Sequence, residues 1–583
     1  MKDLKKIQNW MKEEKINFFI LNRSDEFLGE YIAPYADRLK WISNFTGSAG
    51  RAIILQDKAI IFVDGRYTFQ VREQVDKKCF VVKHIEKYWK WLENNINKKK
   101  IIGVDPKIHS IFEINKLASI VKKNKSEISF FSTNPIDFFW KDQPKYPQHS
   151  AFLHEIKYAG KTTSQKLKIV CSMLKNESIG CYLFNALDSI AWLLNIRGND
   201  IPFTPFVFCY AIISDDGKIN LFIDLKKIKL IKNNLENYIN FFPIEKIEYF
   251  FEKIDKNIKM GMDIFRTNYY FKNLCQRNNI EIKYLDDPCY YLKSQKNKIE
   301  INGAIKANTR DGLSITKFLF WLKNNKKITK HDEISASKYL YDLRKKNRLF
   351  FSLSFETISA IDRNAALPHY KITSKSKLSF KKNAIYLIDS GAQYFDGTTD
   401  ITRTIVIGEP SNEQKDRFTR VLKGHIAIAT AEFQFNKKAS DLDYLARRSL
   451  KKIGCDFDHG TGHGVGSFSN VHEGPFRITK SNKLNDIVLK EGIILSNEPG
   501  YYKKNQYGIR IENLIISNKI SEKKLAFKTI SLAPIDVDLI EKKLLTKKEI
   551  LWINNYHKKV RQSLSKYLKS KEKQWLNNVT RII

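Results

Sequence analysis

Short apolar runs alternate with polar turns through the first half of the chain, and the pattern occurs twice. One copy reads INFFILNRSD, WISNFTG, AIIL and AIIFVDG over residues 16–65, and the other reads CYLFNALD, WLLNIRG, AIIS and INLFID over 181–224. Their anchors fall in the same order: Asn22 and Asp25 with Asn185 and Asp188, then Trp41, Asn44 and Gly47 with Trp192, Asn195 and Gly198. Spaced anchors that agree together mean one supersecondary unit built twice, and strands alternating with helical stretches make each copy α/β. The polar, proline-bearing stretch 142–150 separates the copies, and a second boundary sits near 286–291. Residues 294–322 then read as a helix that opens a third, larger domain. The expected division is 1–142, 143–290, 291–520 and a C-terminal extension, 521–583, packed on the third domain. In that extension Thr546 and Glu549 form a capping box. Ile553, Tyr556, Val560, Leu564 and Tyr567 mark the apolar stripe of a helix packed on its own domain.

Between His369 and Glu512 the periodicity carries chemistry. Residues 384–389 and 398–407 are strand-like, and a turn centred on Tyr394 and Phe395 places Asp389 opposite Asp400. Facing residues in such a ladder have Cβ atoms about 5 Å apart. A strand ending at Glu498 and another over 508–517 flank a turn around Asn505, which opposes Glu498 and Glu512. Alternation puts Arg510 and Glu512 on one face and Ile509 and Ile511 on the other. Opposed carboxylates repel unless protons or cations neutralise them. One such pair could be a salt-bridged surface ladder; two pairs, each on an apolar strand, point to a pair of divalent ions.

The stretch DHGTGHGVGSFSNVHEGP lies between the hairpins. His459 and His463 have the spacing of a zinc helix, but Gly-Thr-Gly between them supplies no glutamate and opposes a helix. These glycines also miss the dinucleotide spacing, and Gly160-Lys161-Thr162 fails as a phosphate loop because Glu155 occupies the first glycine position. The segment reads instead as close-packed backbone presenting His463 to the carboxylates. An oxygen-rich site with one imidazole suits Mn²⁺, with Co²⁺, Zn²⁺ and Fe²⁺ as competitors. His84, His109 and His425 read as structural, whereas His369, His459, His463 and His472 gather around the acid pairs.

Composition narrows the function class. With 583 residues, 43% apolar and 13% aromatic, the chain fills several cores and is not disordered. It has no signal-like N-terminus and no run of membrane-span length, so no membrane partner is expected. Seven cysteines without a C-x-x-C pair read as free thiols in the cytoplasm. A net charge of +38 raises nucleic-acid binding. The lysines are spread along the chain, however, and clusters such as 97–100 and 226–232 lack an aromatic platform. A compositional bias that also enriches Ile and Asn explains them equally well, and no nucleic-acid partner is expected.

The strings DSGAQYFDGTTDITRT, HGTGHGVGSFSNVHEGP, NEPGYY and GIRIEN closely resemble aminopeptidase P, the Xaa-Pro aminopeptidases, in their long three-domain cytosolic form. The resemblance extends to EYIAPYADRLKWISNFTGSAGRAII with VDGRY, to FLHEIKYAGKTTSQK and to ALDSIAWLLNIRGNDI, and so covers nearly the whole chain. It implies an α/β (α+β) protein with two creatinase-like N-terminal domains followed by a pita-bread catalytic domain. It matches Asp389, Asp400, His463, Glu498 and Glu512 to five ligands of two divalent metals, with a hydroxide bridging them. It gives His369, His459 and His472 to substrate binding and stabilisation of the tetrahedral intermediate, and Val471 and Tyr502 to the proline pocket. Arg510 resembles a support of the ligand carboxylates, and Glu498 takes the proton-shuttle role. The substrates implied are peptides with proline at the second position, and the implied assembly is a homodimer. The rivals are a prolidase acting on dipeptides, a methionine aminopeptidase, which lacks both leading domains, and a non-catalytic pita-bread binding module, which loses the ligands.

Overall fold

The strand Phe18–Asn22 (FFILN) is buried along its whole length because apolar clusters cover both faces of its sheet: Phe19 and Leu21 point into one, Phe18 and Ile20 into the other. A computed structural model describes residues 2–235, 237–480 and 487–583 of the chain. It divides into two compact units, Met1–Glu155 with Lys161–Tyr290, and Ile156–Gly160 with Tyr291–Ile583.

The first unit holds the repeat as two six-stranded sheets of the same topology. In space the first runs Phe80–His84, Ala59–Val63, Arg51–Leu55, Phe18–Asn22, Ile101–Val104, Glu127–Phe130. The second runs Ile239–Phe242, Ile219–Ile223, Cys209–Ser214, Cys181–Phe184, Met260–Met262, Ile282–Tyr284. In both, the middle three strands are antiparallel and the flanking ones join in parallel. The anchors now have a physical reason. Asn44 (φ 63°) and Asn195 (φ 53°) end the helices Arg38–Ser43 and Leu187–Leu194 in the left-handed conformation, which asparagine adopts more readily than other side-chain-bearing residues.

In the second unit the helix expected over 294–322 runs from Lys298 to Asn324, its start set by the capping box of Asn297 and Glu300, and a separate short helix, Pro288–Ser294, precedes it. A three-stranded antiparallel sheet (Ile358–Ile361, Ala384–Ser390, Ile401–Ile407) carries the first acids. A six-stranded sheet (Glu432–Gln434, Lys524–Thr529, Asn513–Ser521, Ile494–Asn497, Gly462–Gly464, Glu473–Ile478) and the ribbon Gly500–Lys503 with Tyr507–Arg510 frame the others. The tail helix Lys547–Leu564 begins at the Thr546–Glu549 capping box and buries Ile553, Tyr556, Val560 and Leu564 in the core of this unit. Tyr567 does not join that stripe. The α-helix stops at Leu564, and the tighter turn Ser565–Tyr567 rotates the ring outward, leaving it 52% exposed.

Candidate metal centre

Three of the four acids, Asp400, Glu498 and Glu512, sit where strands break, and Asp389 lies within Ala384–Ser390. Glu498 follows Ile494–Asn497, and Glu512 lies between Tyr507–Arg510 and Asn513–Ser521. The register is the same on both sides of the gap: Asn497 faces Asn513 and Gly500 faces Arg510, so Glu498 and Glu512 oppose each other as the turn around Asn505 predicts. Asp400 lies between Gly397–Thr398 and Ile401–Ile407, which belong to different sheets rather than to one continuous strand. Asp389 faces Thr402, not Asp400, because the turn centres on Phe395 and Asp396. The shift is two residues, so Asp389 and Asp400 keep a common face as diagonal neighbours.

Backbone freed at these gaps stitches the segments together. The Glu498 N–H donates to Thr461 O (2.8 Å), and the Glu512 N–H donates to Thr402 O (3.2 Å). Below them His425 is completely buried, 3.0 Å from both Asn497 O and Asn513 Nδ2, a structural histidine that ties together the two residues adjoining the acids.

Asp400, His463 and Glu512 offer ligand atoms within 4.8 Å of one another, the tightest such group among the described residues. His463 Nδ1 lies 2.9 Å from Gly464 O, and Nε2 lies 3.5 Å from Asp400 Oδ2 and 3.4 Å from Glu498 Oε1. With the Nδ1–H donated to the carbonyl, the Nε2 lone pair points at the acids. Asp389 falls outside that tightest group. Arg510 Nη2 holds its Oδ2 at 2.6 Å, and its charge acts on Asp400.

Electrostatics make this cluster unstable without cations. Burial, then the charges of Asp389 and Glu498, hold the Asp400 carboxyl well above the usual carboxylate range. Burial, then Asp400, Glu498 and Asp389, do the same to Glu512. Glu498 is pushed up to about 7, chiefly by burial, with Arg510 pulling the other way. Asp389 Oδ1 and Glu512 Oε1 are buried with no hydrogen-bond partner, although the other oxygen of each is held: Glu512 Oε2 accepts from Thr402 Oγ1 at 2.7 Å. Buried carboxylate oxygens without donors are costly. A pair of divalent ions fits this donor set, which is oxygen-rich with one imidazole nitrogen.

The remaining sequence-predicted residues surround the acids. Arg510 Nη1 donates to Tyr502 OH (2.6 Å), and Tyr502 OH lies 2.8 Å from His459 Nε2. His459 Nδ1 is 2.7 Å from Gly460 O, so the bonds run in one direction from Arg510 through Tyr502 to His459. Burial pushes the Tyr502 phenol up to about 12, so it remains a donor. His472 stacks edge-on against His463 with ring centroids 4.4 Å apart. His369 follows Pro368, whose carbonyl accepts from Arg510 Nη2 at 3.2 Å. Val471 is fully enclosed and offers no open surface. Ile509 and Ile511 enter the core as alternation requires.

Two hydroxyls were missed in the sequence. Thr402 holds Glu512, and Ser496 Oγ donates to Glu498 Oε1 (3.0 Å) while accepting from the His463 N–H (2.9 Å). Each lies two residues from an acid in its own strand, a same-face spacing that could have identified it.

Known proteins agree with this architecture along the whole chain. Residues 304–519 match metallopeptidase family M24, and 523–583 match the C-terminal region of peptidase M24. Residues 4–133 and 142–300 each match a creatinase/prolidase N-terminal domain. A probable Xaa-Pro aminopeptidase P of Paracoccidioides brasiliensis is 34% identical over 609 residues, covering 100% of this chain and 98% of its own. Xaa-Pro aminopeptidase 1 of Dictyostelium discoideum is 35% identical, covering 99% and 96%. The X-prolyl aminopeptidase of Caenorhabditis elegans, described as a cytosolic enzyme with a di-nuclear active site, superposes with a TM-score of 0.93 at 31% identity, over 97% of this chain and 95% of that one. A prolidase from Pyrococcus horikoshii shares the fold alone, with a TM-score of 0.52 at 24% identity over 64% of this chain. Two creatinase/prolidase N-terminal domains, an M24 domain and its C-terminal region follow one another along a chain that is 34–35% identical to these relatives over nearly its full length, and the chain belongs to the Xaa-Pro aminopeptidase P family of metallopeptidases.

Proposed function

We propose that the chain hydrolyses the bond between the first residue of a peptide and a proline at the second position, using two divalent ions held by Asp389, Asp400, His463, Glu498 and Glu512. The observation that carries this reading is the convergence of Asp400, Glu498 and Glu512 on the His463 imidazole, with the Asp389 charge acting on all three acids and with Asp389 Oδ1 and Glu512 Oε1 buried and unpartnered. Two such ions, with Mn²⁺ best suited, would lower the pKa of a water shared between them and so would supply a hydroxide near neutral pH.

The side chains do the rest. Glu498, whose Oε1 lies 3.4 Å from His463 Nε2 among the ligands, is the acid placed to take the proton of the attacking water and pass it to the proline nitrogen as that bond breaks. His369 and His472 donate to the carbonyl oxygen as negative charge develops there. Tyr502, fixed between Arg510 and His459, forms with His459 the wall for the proline ring. That ring matters because an X-Pro bond offers no N–H and a fixed φ, so recognition must rest on shape. Arg510 grips Asp389 and Tyr502 at once and thereby ties the ligand cluster to the substrate wall.

Asp400→Ala and Glu512→Ala should each lose bound metal together with turnover of a Xaa-Pro-Xaa peptide. Full activity with full metal content in either would reject the ligand set. Comparing Xaa-Pro-Xaa with Xaa-Pro substrates tests against a prolidase, and turnover of the dipeptide alone would replace the reading. A cytoplasmic location and a homodimer complete the proposal; sedimentation of a monomer would remove the latter.

A further inference from the structure

The loop that carries His369 is held by a carboxylate outside the site. After the strand Ile358–Ile361 the chain makes the turn Asp362–Ala366 and passes Pro368, His369 and Tyr370 on the way to Leu378. Glu333, the first residue of the helix Glu333–Lys345, lies beneath this loop and is completely buried. It accepts from Ile361 N (2.7 Å), from Asn364 Nδ2 at both oxygens (3.0 Å each), from Tyr370 OH (2.9 Å) and from Leu378 N (3.0 Å). A carboxylate has about four lone-pair sites, and these donors fill them. Asn364 Nδ2 also donates to Ser376 O (2.9 Å), and Tyr370 OH lies 2.9 Å from Ser376 Oγ, so the donors cross-link one another. The helix N-terminus adds a favourable field for the negative charge.

The donors bracket His369, with Ile361 and Asn364 before it and Tyr370 and Leu378 after it. The opposite side of the loop is held from within the site. Arg510 Nη2 donates to Pro368 O, and a Cβ on Gly508 would lie only 1.7 Å from Ala365 O, so the ribbon bearing Arg510 presses directly on the turn. His369 therefore lies in a loop with two anchors, Arg510 bonded at Pro368 and Glu333 bonded at Ile361, Asn364, Tyr370 and Leu378.

We propose that Glu333 is a positioning residue for catalysis: its buried carboxylate fixes the 361–378 loop so that the His369 imidazole meets the carbonyl being cleaved. The inference rests on the role given to His369 under the proposed function. A carboxylate serving fold stability alone would affect the protein whether or not His369 is present, whereas a positioning residue acts only through that imidazole.

The test is a double-mutant cycle on metal-loaded enzyme with a Xaa-Pro-Xaa peptide, normalised to bound metal. Glu333→Gln keeps the shape but turns an NH₂ toward N–H donors. It should lower kcat about 10- to 100-fold, the scale of a misplacement near 1 Å, with metal content retained. In a His369→Ala background the same change should have less than about a twofold effect. A Glu333→Gln enzyme within twofold of wild type, or a loss that multiplies in full onto His369→Ala, overturns the proposal. Wild-type activity in His369→Ala alone instead removes the underlying role of His369, a different failure. Should Glu333→Gln not fold, Tyr370→Phe deletes one of the donors and carries the same cycle, with the same non-additivity expected.

Discussion

Stripping divalent ions from the site and adding them back should release protons, in a number fixed by the charges gathered there. Asp389, Asp400, Glu498 and Glu512 bring four negative charges when ionised, and Arg510, in contact with Asp389, offsets one of them. In metal-free protein the remaining charge is confined among buried groups, where protons are the cations at hand to relieve it. Asp400 and Glu512 are both held well above the carboxylate range, and Glu498 sits at about 7. About half of Glu498 is then protonated at neutral pH, so metal entry must displace at least that half proton, together with any held on Asp400 and Glu512. The count belongs to the coupled set rather than to any one side chain. Each displaced proton weakens apparent affinity about tenfold per unit fall in pH, so binding should weaken as pH falls from 7 to 6.

Calorimetry in buffers of different ionisation enthalpy reads the count directly. The part due to Glu498 should fall as pH rises past 7, because that acid then gives up its proton before metal arrives, whereas any water that becomes hydroxide on the ions would add a proton of its own. Release of less than about half a proton at pH 7 would refute the charge account. Melting temperature is a poorer readout. Carboxylates whose folded pKa lies above the unfolded value favour the metal-free fold at low pH, and that stability is lost as pH rises from about 4 toward 7. His425 and His557 act in the opposite sense, because burial holds both imidazoles down at about 3 and they oppose folding in acid. The proton count isolates the acids from the histidines.

Three further outcomes follow from packing and charge. His557 Nε2 accepts from Ile535 N (3.1 Å), and its folded pKa of about 3 lies below the unfolded 6.5. Unfolded chain therefore takes up the proton first as pH falls below 6.5, and the destabilisation caused by His557→Gln should shrink by about 1.4 kcal/mol per pH unit between 6.5 and 5 in urea titrations; a constant penalty would show that burial does not hold the imidazole neutral. Gly508→Ala must push Ala365 O away from 1.7 Å, so peptide turnover should fall by an order of magnitude or more while metal content is kept, and unchanged turnover would mean the turn yields freely. Glu473 is paired with both Lys293 (3.1 Å) and Lys296, all three buried. Glu473→Gln leaves two ammonium groups without that partner and should cost about 3–5 kcal/mol in chemical denaturation, more than Lys296→Met, which leaves one balanced pair; the reverse order would contradict this.

The sequence revealed the site through period-two alternation, which tolerates a misplaced turn. The second turn was readable because Asn505 accepts a left-handed φ of 59°, and its register follows. The first was misjudged by one position: Asp396-Gly397, a turn-forming pair, pulls the bend past Tyr394. A one-residue turn displacement slips the ladder by two, so Asp389 and Asp400 stayed on one face even though they are not opposite. The creatinase-like repeat was equally legible, since Asn44 and Asn195 encode the same helix end by a local rule. Tyr567 was not, because its helix ends without a glycine cap to announce the stop.

What local rules cannot encode is the interruption of the strands at the acids. A continuous ladder through Glu498 and Glu512 would join Ile494–Asn497 directly to Gly500–Lys503 and spend every backbone group within one hairpin. The breaks instead send the Glu498 N–H to Thr461, two residues before His463, and the Glu512 N–H to Thr402, two residues after Asp400. Each acid is thus bonded through its own backbone to the segment that supplies another proposed ligand. Four separate stretches of chain are brought to one point with small relative freedom, which the ligand geometry of two ions demands. Glu333 and Arg510 extend the same logic to His369, fixing a loop by donors on either side of the residue that matters. Such partners are set by tertiary proximity between residues far apart in sequence, so the structure is needed to see them, and the double-mutant cycle at Glu333 is where that reasoning meets its hardest test.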